Sequence, residues 1–144
     1  MIESDTIRLL REVDAGIRMG TDSIHQVLGK VKSEKLERIL VDCRAAHEAL
    51  GEELEAALHR FHDEGKAANP MAKTMSRMKT GIELALDESD ATIADLMTDG
   101  CDMGVKSLSR YLNQYRAADE SAKALCRKLI ALEEELGKEL RAFL

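Results

Sequence analysis

Apolar residues recur at spacings of three and four positions along most of this chain, which is the period of one face of an α-helix. The last part of the chain is a clear example, with one stripe formed by Ala122, Leu125, Leu129, Leu132, Leu136, Leu140 and Phe143. A β-sandwich or barrel needs many turns and strand-forming aromatics, whereas this chain has one proline and 3% aromatic residues. The 144 residues therefore predict a single all-α domain.

The same period divides the chain into five predicted helices, at about residues 5–31, 34–64, 71–86, 88–116 and 119–143. Three predicted helices begin at residues that can cap them: Ser33 for the second, Asp87 or Ser89 for the fourth, and Asp119 for the fifth. The side-chain oxygens of these residues can accept hydrogen bonds from free backbone N–H groups. Four of the helices come to roughly 37 to 46 Å each, and short turns join them in two pairs. This arrangement predicts a four-helix bundle of two antiparallel hairpins.

The connection between the two hairpins is long and contains the predicted helix 71–86. That helix spans roughly 24 Å, so the connection is able to run along the bundle and leave the helices on either side of it parallel. One long crossover is the arrangement of ferritin-like folds, whereas an up-down-up-down bundle does not need it.

Two segments of the sequence resemble an uncharacterised branch of bacterial ferritin-like proteins. They are DCRAAHEALGEELEAAL, at residues 42–58, and IELALDESDATIADLMTDGCDMGVKSLSRYLNQY, at residues 82–115. That branch carries Cys-xxx-His on its second helix and an acidic-Cys-x-x-Gly segment on its third. The resemblance implies a ferritin-like bundle and no established activity.

Better-known ferritin-like proteins bind two irons, using a Glu from each of two helices and Glu-x-x-His from each of the others. Here Arg44 stands three residues before His47, and the last two predicted helices contain no histidine. Asp95, Asp99 and Asp102 fall on the side of their helix away from its apolar stripe, which is typical of a solvated face. The sequence therefore predicts no di-iron catalysis.

Three polar residues fall on or beside the apolar stripes: Asp14, His47 and Glu133. In the ferritin-like topology they lie at roughly 28, 22 and 20 Å from the first turn, so the three are able to share one layer. The preferred interpretation is a hydrogen-bonded His47–Glu133 pair that fixes the register of the helices. The alternative is a neutral imidazole between two carboxylates that holds a single Fe, Zn or Mn ion. Arg11, Arg18 or Arg44 could neutralise Asp14 and weaken that site.

Cys43 and Cys101 come out at similar heights, which would allow the two to be neighbours. The preferred interpretation is that both are simply packed thiols, with no cationic residue placed to activate either one. Gly100 and Gly104 are predicted to face inward, where they would accommodate bulky neighbours or a small cavity. The residues expected to line that cavity are Met97, Gly100, Gly104 and Tyr111.

A methionine stripe on the predicted crossover helix consists of Met71, Met75 and Met78. The preferred interpretation is that these side chains fill an irregular gap beneath the crossover. The alternative is an adaptable surface that docks a partner protein or a second copy of the chain.

Charge and hydropathy narrow the class of function. The formal charge of −6 disfavours nucleic acid, and the absence of an apolar run of ten residues predicts no membrane helix and no export signal. Three cysteines without CxxC spacing predict reduced thiols in a cytoplasmic protein. We expect a non-enzymatic bundle without a cofactor that forms a homodimer or binds a partner protein. The alternative is a metal-binding or metal-dependent redox protein that uses Asp14, His47 and Glu133.

Overall fold

The computed structural model describes residues 2–61 and 89–144, and over these residues it contains helices and no strands. The helices are α1 (Ile2–Leu28), α2 (Glu34–Arg60), α3 (Asp90–Gln114) and α4 (Glu120–Leu140), followed by the 3-10 turn Arg141–Phe143. The all-α prediction is confirmed for this part of the chain. The predicted helix 71–86 lies outside the described residues.

Three of the helices begin at the capping residues that the sequence predicted. Ser33, Ser89 and Asp119 have extended backbones, and each side chain accepts a bond from the backbone N–H three positions further on. These bonds satisfy N–H groups that have no partner within the helix, which is why α2, α3 and α4 begin where they do. Of the two candidates before α3, the structure uses Ser89.

Hydrogen bonds between the helix starts fix the directions of the four helices. The backbone N–H groups of Lys32 and Ser33 each lie 2.9 Å from a carboxylate oxygen of Asp90, so α2 and α3 begin side by side. The backbone N–H of Asp119 donates to the hydroxyl of Thr6 over 2.9 Å, so α1 and α4 also begin side by side. It follows that α2 runs parallel to α3, and that the end of α2 and the start of α3 lie at opposite ends of the bundle.

The apolar core consists of two clusters, one toward each end of the bundle. Leu10, Leu54 and Leu129 belong to the cluster at the end where α1 and α4 begin. Ile24 and Leu40 belong to the cluster at the other end. His47 and Glu133 are buried at the level between the two clusters.

The buried face of α1 is wide. Leu9, Val13 and Val27 are buried together with Leu10 and Ile24. The reason is that α1 packs against all three other helices, so it buries more of its circumference than a helix in a two-helix contact.

The carboxylate of Asp90 links the α1–α2 turn to the start of α3, and its loss should be measurable. We expect Asp90→Ala to lower the free energy of unfolding by about 1–2 kcal/mol, because two backbone N–H groups lose a charged acceptor. Urea unfolding at neutral pH measures this change. The matched control is Asp95→Ala, an exposed position on the same helix, which should change stability by less than about 0.5 kcal/mol. Equal stability of the two variants would contradict the link.

Candidate functional site

The polar centre of the bundle is the imidazole of His47, which has 0% exposed surface. Its Nδ1 lies 2.8 Å from the backbone carbonyl oxygen of Cys43, one turn earlier on α2. Its Nε2 lies 3.0 Å from Oε1 of Glu133 on α4. A carbonyl oxygen only accepts hydrogen bonds, so Nδ1 carries a proton, and a second proton must lie between Nε2 and Oε1.

The pKa of His47 decides where that second proton resides. Burial pulls the pKa down, but the hydrogen bonds to Cys43 and Glu133 outweigh it and raise the pKa from 6.5 to about 10. The ring is therefore an imidazolium at neutral pH and donates from both nitrogens. Glu133 is 9% exposed and accepts as a carboxylate, so the two side chains form a buried ion pair between α2 and α4.

A glycine on α1 makes room for this pair. A Cβ atom on Gly20 of α1 would lie 2.7 Å from His47 Nε2, which is much shorter than a van der Waals contact. A Cβ atom on Gly104 of α3 would lie 3.7 Å from the Glu133 carboxylate, which is an ordinary van der Waals contact. The backbone of α1 therefore passes directly over the imidazole. Gly20 was not predicted as part of the site, although its spacing of four residues from Gly16 on the apolar face of α1 was a signal for close helix packing.

Asp14 has a different partner from the one that the metal hypothesis needs. Its side chain is 13% exposed and lies 3.2 Å from the guanidinium of Arg18, one turn later on α1. Across residues 2–61 and 89–144, no three His, Cys, Asp or Glu side chains are grouped so that they could hold a metal ion. The structure thus brings His47 and Glu133 together and pairs Asp14 with Arg18. Binding of Fe, Zn or Mn by this protein stays a prediction.

Two thiols flank the ion pair. Cys43 is half-buried, and its sulfur lies 3.5 Å from Nδ1 of His47. Cys101 on α3 is buried, and its pKa is raised first by burial and then by the charge of Glu133 and a hydrogen bond to it. The sequence indicated no cation near either thiol, whereas the structure places the His47 ring beside the Cys43 sulfur.

The predicted cavity on α3 is not formed by its four residues. Gly100 is exposed, and a Cβ atom there would meet nothing within 4 Å, so its predicted inward position is wrong. The reason is the rotation of about 100° per residue around an α-helix, which places Gly100 away from the buried side of Cys101. Gly104 lies closer to that buried side. Met97 packs in the cluster near the start of α3, while Tyr111 packs against the other cluster.

A surface groove of about 760 Å³ lies between α3 and α4 among the described residues. Its lining includes Asp102, Val105, Lys106, Glu133 and Lys138. None of the four residues of the predicted cavity contributes to it. The predicted interaction stripe of Met71, Met75 and Met78 lies outside the part of the chain that the structure describes.

Comparison with known proteins identifies the fold and no family. No protein family and no curated protein matches the chain. The structure is similar to a crystal structure of a DUF305 fragment from Deinococcus radiodurans, with a TM-score of 0.73 over 96% of this chain and 93% of that chain. The two sequences are 12% identical, so the similarity shows a shared all-helical fold alone.

Gly20 offers a direct test of the close approach of α1 to His47. We expect Gly20→Ala to destabilise the protein by about 1–3 kcal/mol, because the added Cβ overlaps a buried ring that two hydrogen bonds hold in place. Gly100→Ala is the matched control, since it adds the same methyl group to a helix position with open space. The control should gain up to about 1 kcal/mol from helix propensity. A stable Gly20→Ala variant would contradict the packing.

The raised pKa of His47 predicts how stability depends on pH. The folded-state pKa of about 10 exceeds the ordinary 6.5, so the stabilisation is fully present below about pH 6 and is lost as pH rises through 10. We expect the difference in unfolding free energy between the unmodified protein and His47→Gln to shrink steadily over that range. Urea titrations at several pH values measure this difference, and the contributions of titratable groups that both proteins share cancel in it. A difference that is constant with pH would contradict the charged ring.

Proposed function

We propose that this chain is a ferritin-like bundle protein that is not an enzyme and acts by self-association, most simply as a two-fold dimer. The helix directions support the ferritin-like topology. Two antiparallel pairs, α1 with α2 and α3 with α4, leave α2 and α3 parallel, so the end of α2 and the start of α3 lie at opposite ends of the bundle. The need for one long connection between such ends distinguishes ferritin-like bundles from simple up-down-up-down bundles.

The observation that carries the non-enzymatic part is the double engagement of the His47 ring. One nitrogen donates to the Cys43 carbonyl and the other to Glu133, so neither offers a lone pair to a metal ion or to a substrate proton. The central polar group is satisfied inside the bundle. We therefore assign the function to the surface of the protein.

Exposed apolar side chains on α1 and α3 support self-association. Met19 is 44% exposed and Met103 is 69% exposed, and the helices that carry them pack against each other. Methionine is flexible and polarizable, which suits it to contacts between protein surfaces. A two-fold axis would bring the same surface of two copies together, so each exposed apolar side chain would be used twice.

The net charge and the free thiols bear on the kind of partner and on the location of the protein. The net charge of −6 disfavours nucleic acid as the partner. No helix in residues 2–61 or 89–144 combines the length and the apolar character that crossing a bilayer requires. Cys43, Cys101 and Cys126 are all free thiols, which supports a reducing compartment and hence a cytoplasmic location.

The alternative function is binding of one divalent metal ion by Asp14, His47 and Glu133, with or without redox chemistry. These residues fit an ion only after three changes. His47 must lose a proton and break one of its two hydrogen bonds, and Asp14 must break its ion pair with Arg18. The geometry therefore favours self-association.

Sedimentation velocity over a wide concentration range tests self-association. We expect a reversible dimer, and we expect Met103→Lys to weaken it at least about tenfold, or about 1.4 kcal/mol, because a charge would enter the apolar contact. Met103→Leu is the matched control and should dimerise like the unmodified protein. A protein that stays monomeric at every concentration would contradict the proposal.

Elemental mass spectrometry on untagged protein purified without chelator tests the alternative. The proposal predicts much less than one metal ion per chain. Close to one Fe, Zn or Mn ion per chain, lost in His47→Gln, would overturn the non-enzymatic assignment in favour of the metal site.

A further inference from the structure

Cys43, His47 and Glu133 form a row of three groups that self-association does not use. The sulfur of Cys43 lies 3.5 Å from His47 Nδ1, and His47 Nε2 lies 3.0 Å from Glu133 Oε1. A nucleophile beside an imidazole whose far nitrogen is held by a third group is the arrangement that activates thiols in proteins. We infer that Cys43 is a reactive thiol that hydrogen peroxide oxidises, with the His47 imidazolium supplying a proton to the leaving group and Glu133 holding the ring in position.

The surroundings of the row single out Cys43 from the other cysteines. Cys101 and Cys126 are buried at 3% and 0% exposure, whereas Cys43 is half-buried. Burial also raises the pKa of Cys126 to about 11 and raises that of Cys101, so both thiols stay protonated. Only Cys43 combines access to solvent with a ring N–H close to its sulfur.

The groups that face His47 from every side are consistent with this role. Its own helix contributes Cys43, α4 contributes Glu133, and Cys101 of α3 lies next to Glu133. From α1 the ring meets Gly20, which brings no charge. No second cation competes with the imidazolium for the sulfur among these neighbours, and Glu133 keeps the ring protonated.

The oxidation of Cys43 requires hydrogen peroxide as the oxidant and no other reactant. In the reactive state the Cys43 thiol has lost its proton to water, and the negatively charged sulfur lies beside the imidazolium of His47. The sulfur attacks one oxygen of hydrogen peroxide, an S–O bond forms, and the O–O bond breaks. The leaving hydroxide takes the His47 proton and departs as water. Sulfur is oxidised by two electrons to the sulfenic acid, peroxide is reduced by two electrons, and a neutral imidazole remains.

The first test compares each cysteine with itself in the folded and the urea-unfolded protein. Sulfenic acid is trapped with dimedone during peroxide treatment, and peptide mass spectrometry gives a separate rate for each site. We expect Cys43 to react several-fold faster in the folded protein than in the unfolded one. A cysteine is fully exposed in the unfolded chain, so solvent exposure by itself cannot make the folded-state rate higher than the unfolded-state rate. Cys101 and Cys126 should react more slowly when folded. A Cys43 rate at or below its unfolded rate would overturn the inference.

The second test separates the role of the ring from simple exposure. In His47→Gln and Glu133→Gln the folded-state rate of Cys43 should fall to the unfolded rate or below, while Cys101 and Cys126 stay protected. His25→Gln, an exposed histidine on α1, is the control and should leave all rates unchanged. Protection of Cys101 and Cys126 reports that a variant is folded. Fast oxidation of Cys43 in a folded His47→Gln variant would overturn the role of the ring, whatever the oligomeric state of the protein.

Discussion

The described part of the bundle depends on the two hydrogen bonds of one buried imidazolium. His47 is bound to the carbonyl oxygen of its own helix and to Glu133 on α4, midway between the two apolar clusters. Apolar side chains alone tolerate small shifts of one helix along another, whereas a buried charge must keep its partner. The pair therefore sets the axial register of α2 against α4, and the clusters pack on either side of it.

The same interaction shapes both the fold and the function that we propose. An imidazole held between two helices needs space, and Gly20 provides it by bringing the backbone of α1 against the ring. Because both nitrogens are engaged, the His47 ring has no free ligand atom, and we therefore assign the function to the surface. The neighbouring Cys43 sulfur is the one reactive atom that this arrangement leaves partly accessible.

The sequence predicted the parts of this picture that follow from local rules. The helical period predicted the described helices, three capping residues gave their starts, and the 1.5 Å rise put His47 and Glu133 at matching heights. The inward position of Gly100 was wrong, because a rotation of about 100° separates it from Cys101 and spacing alone did not resolve this. The spacing of Gly16 and Gly20 indicated a close helix approach but not which side chain lies beneath it. The charge of His47 was beyond the sequence, since it depends on which atoms face the ring.

The protonation state of the His47 ring is the most direct test of this account. Long-range ¹⁵N–¹H NMR on protein labelled at histidine, with His47→Gln used to assign the signals, reports whether each ring nitrogen carries a proton. The account predicts that at neutral pH both Nδ1 and Nε2 of His47 are protonated and exchange slowly with water. A ring with one unprotonated nitrogen at neutral pH would contradict the buried ion pair.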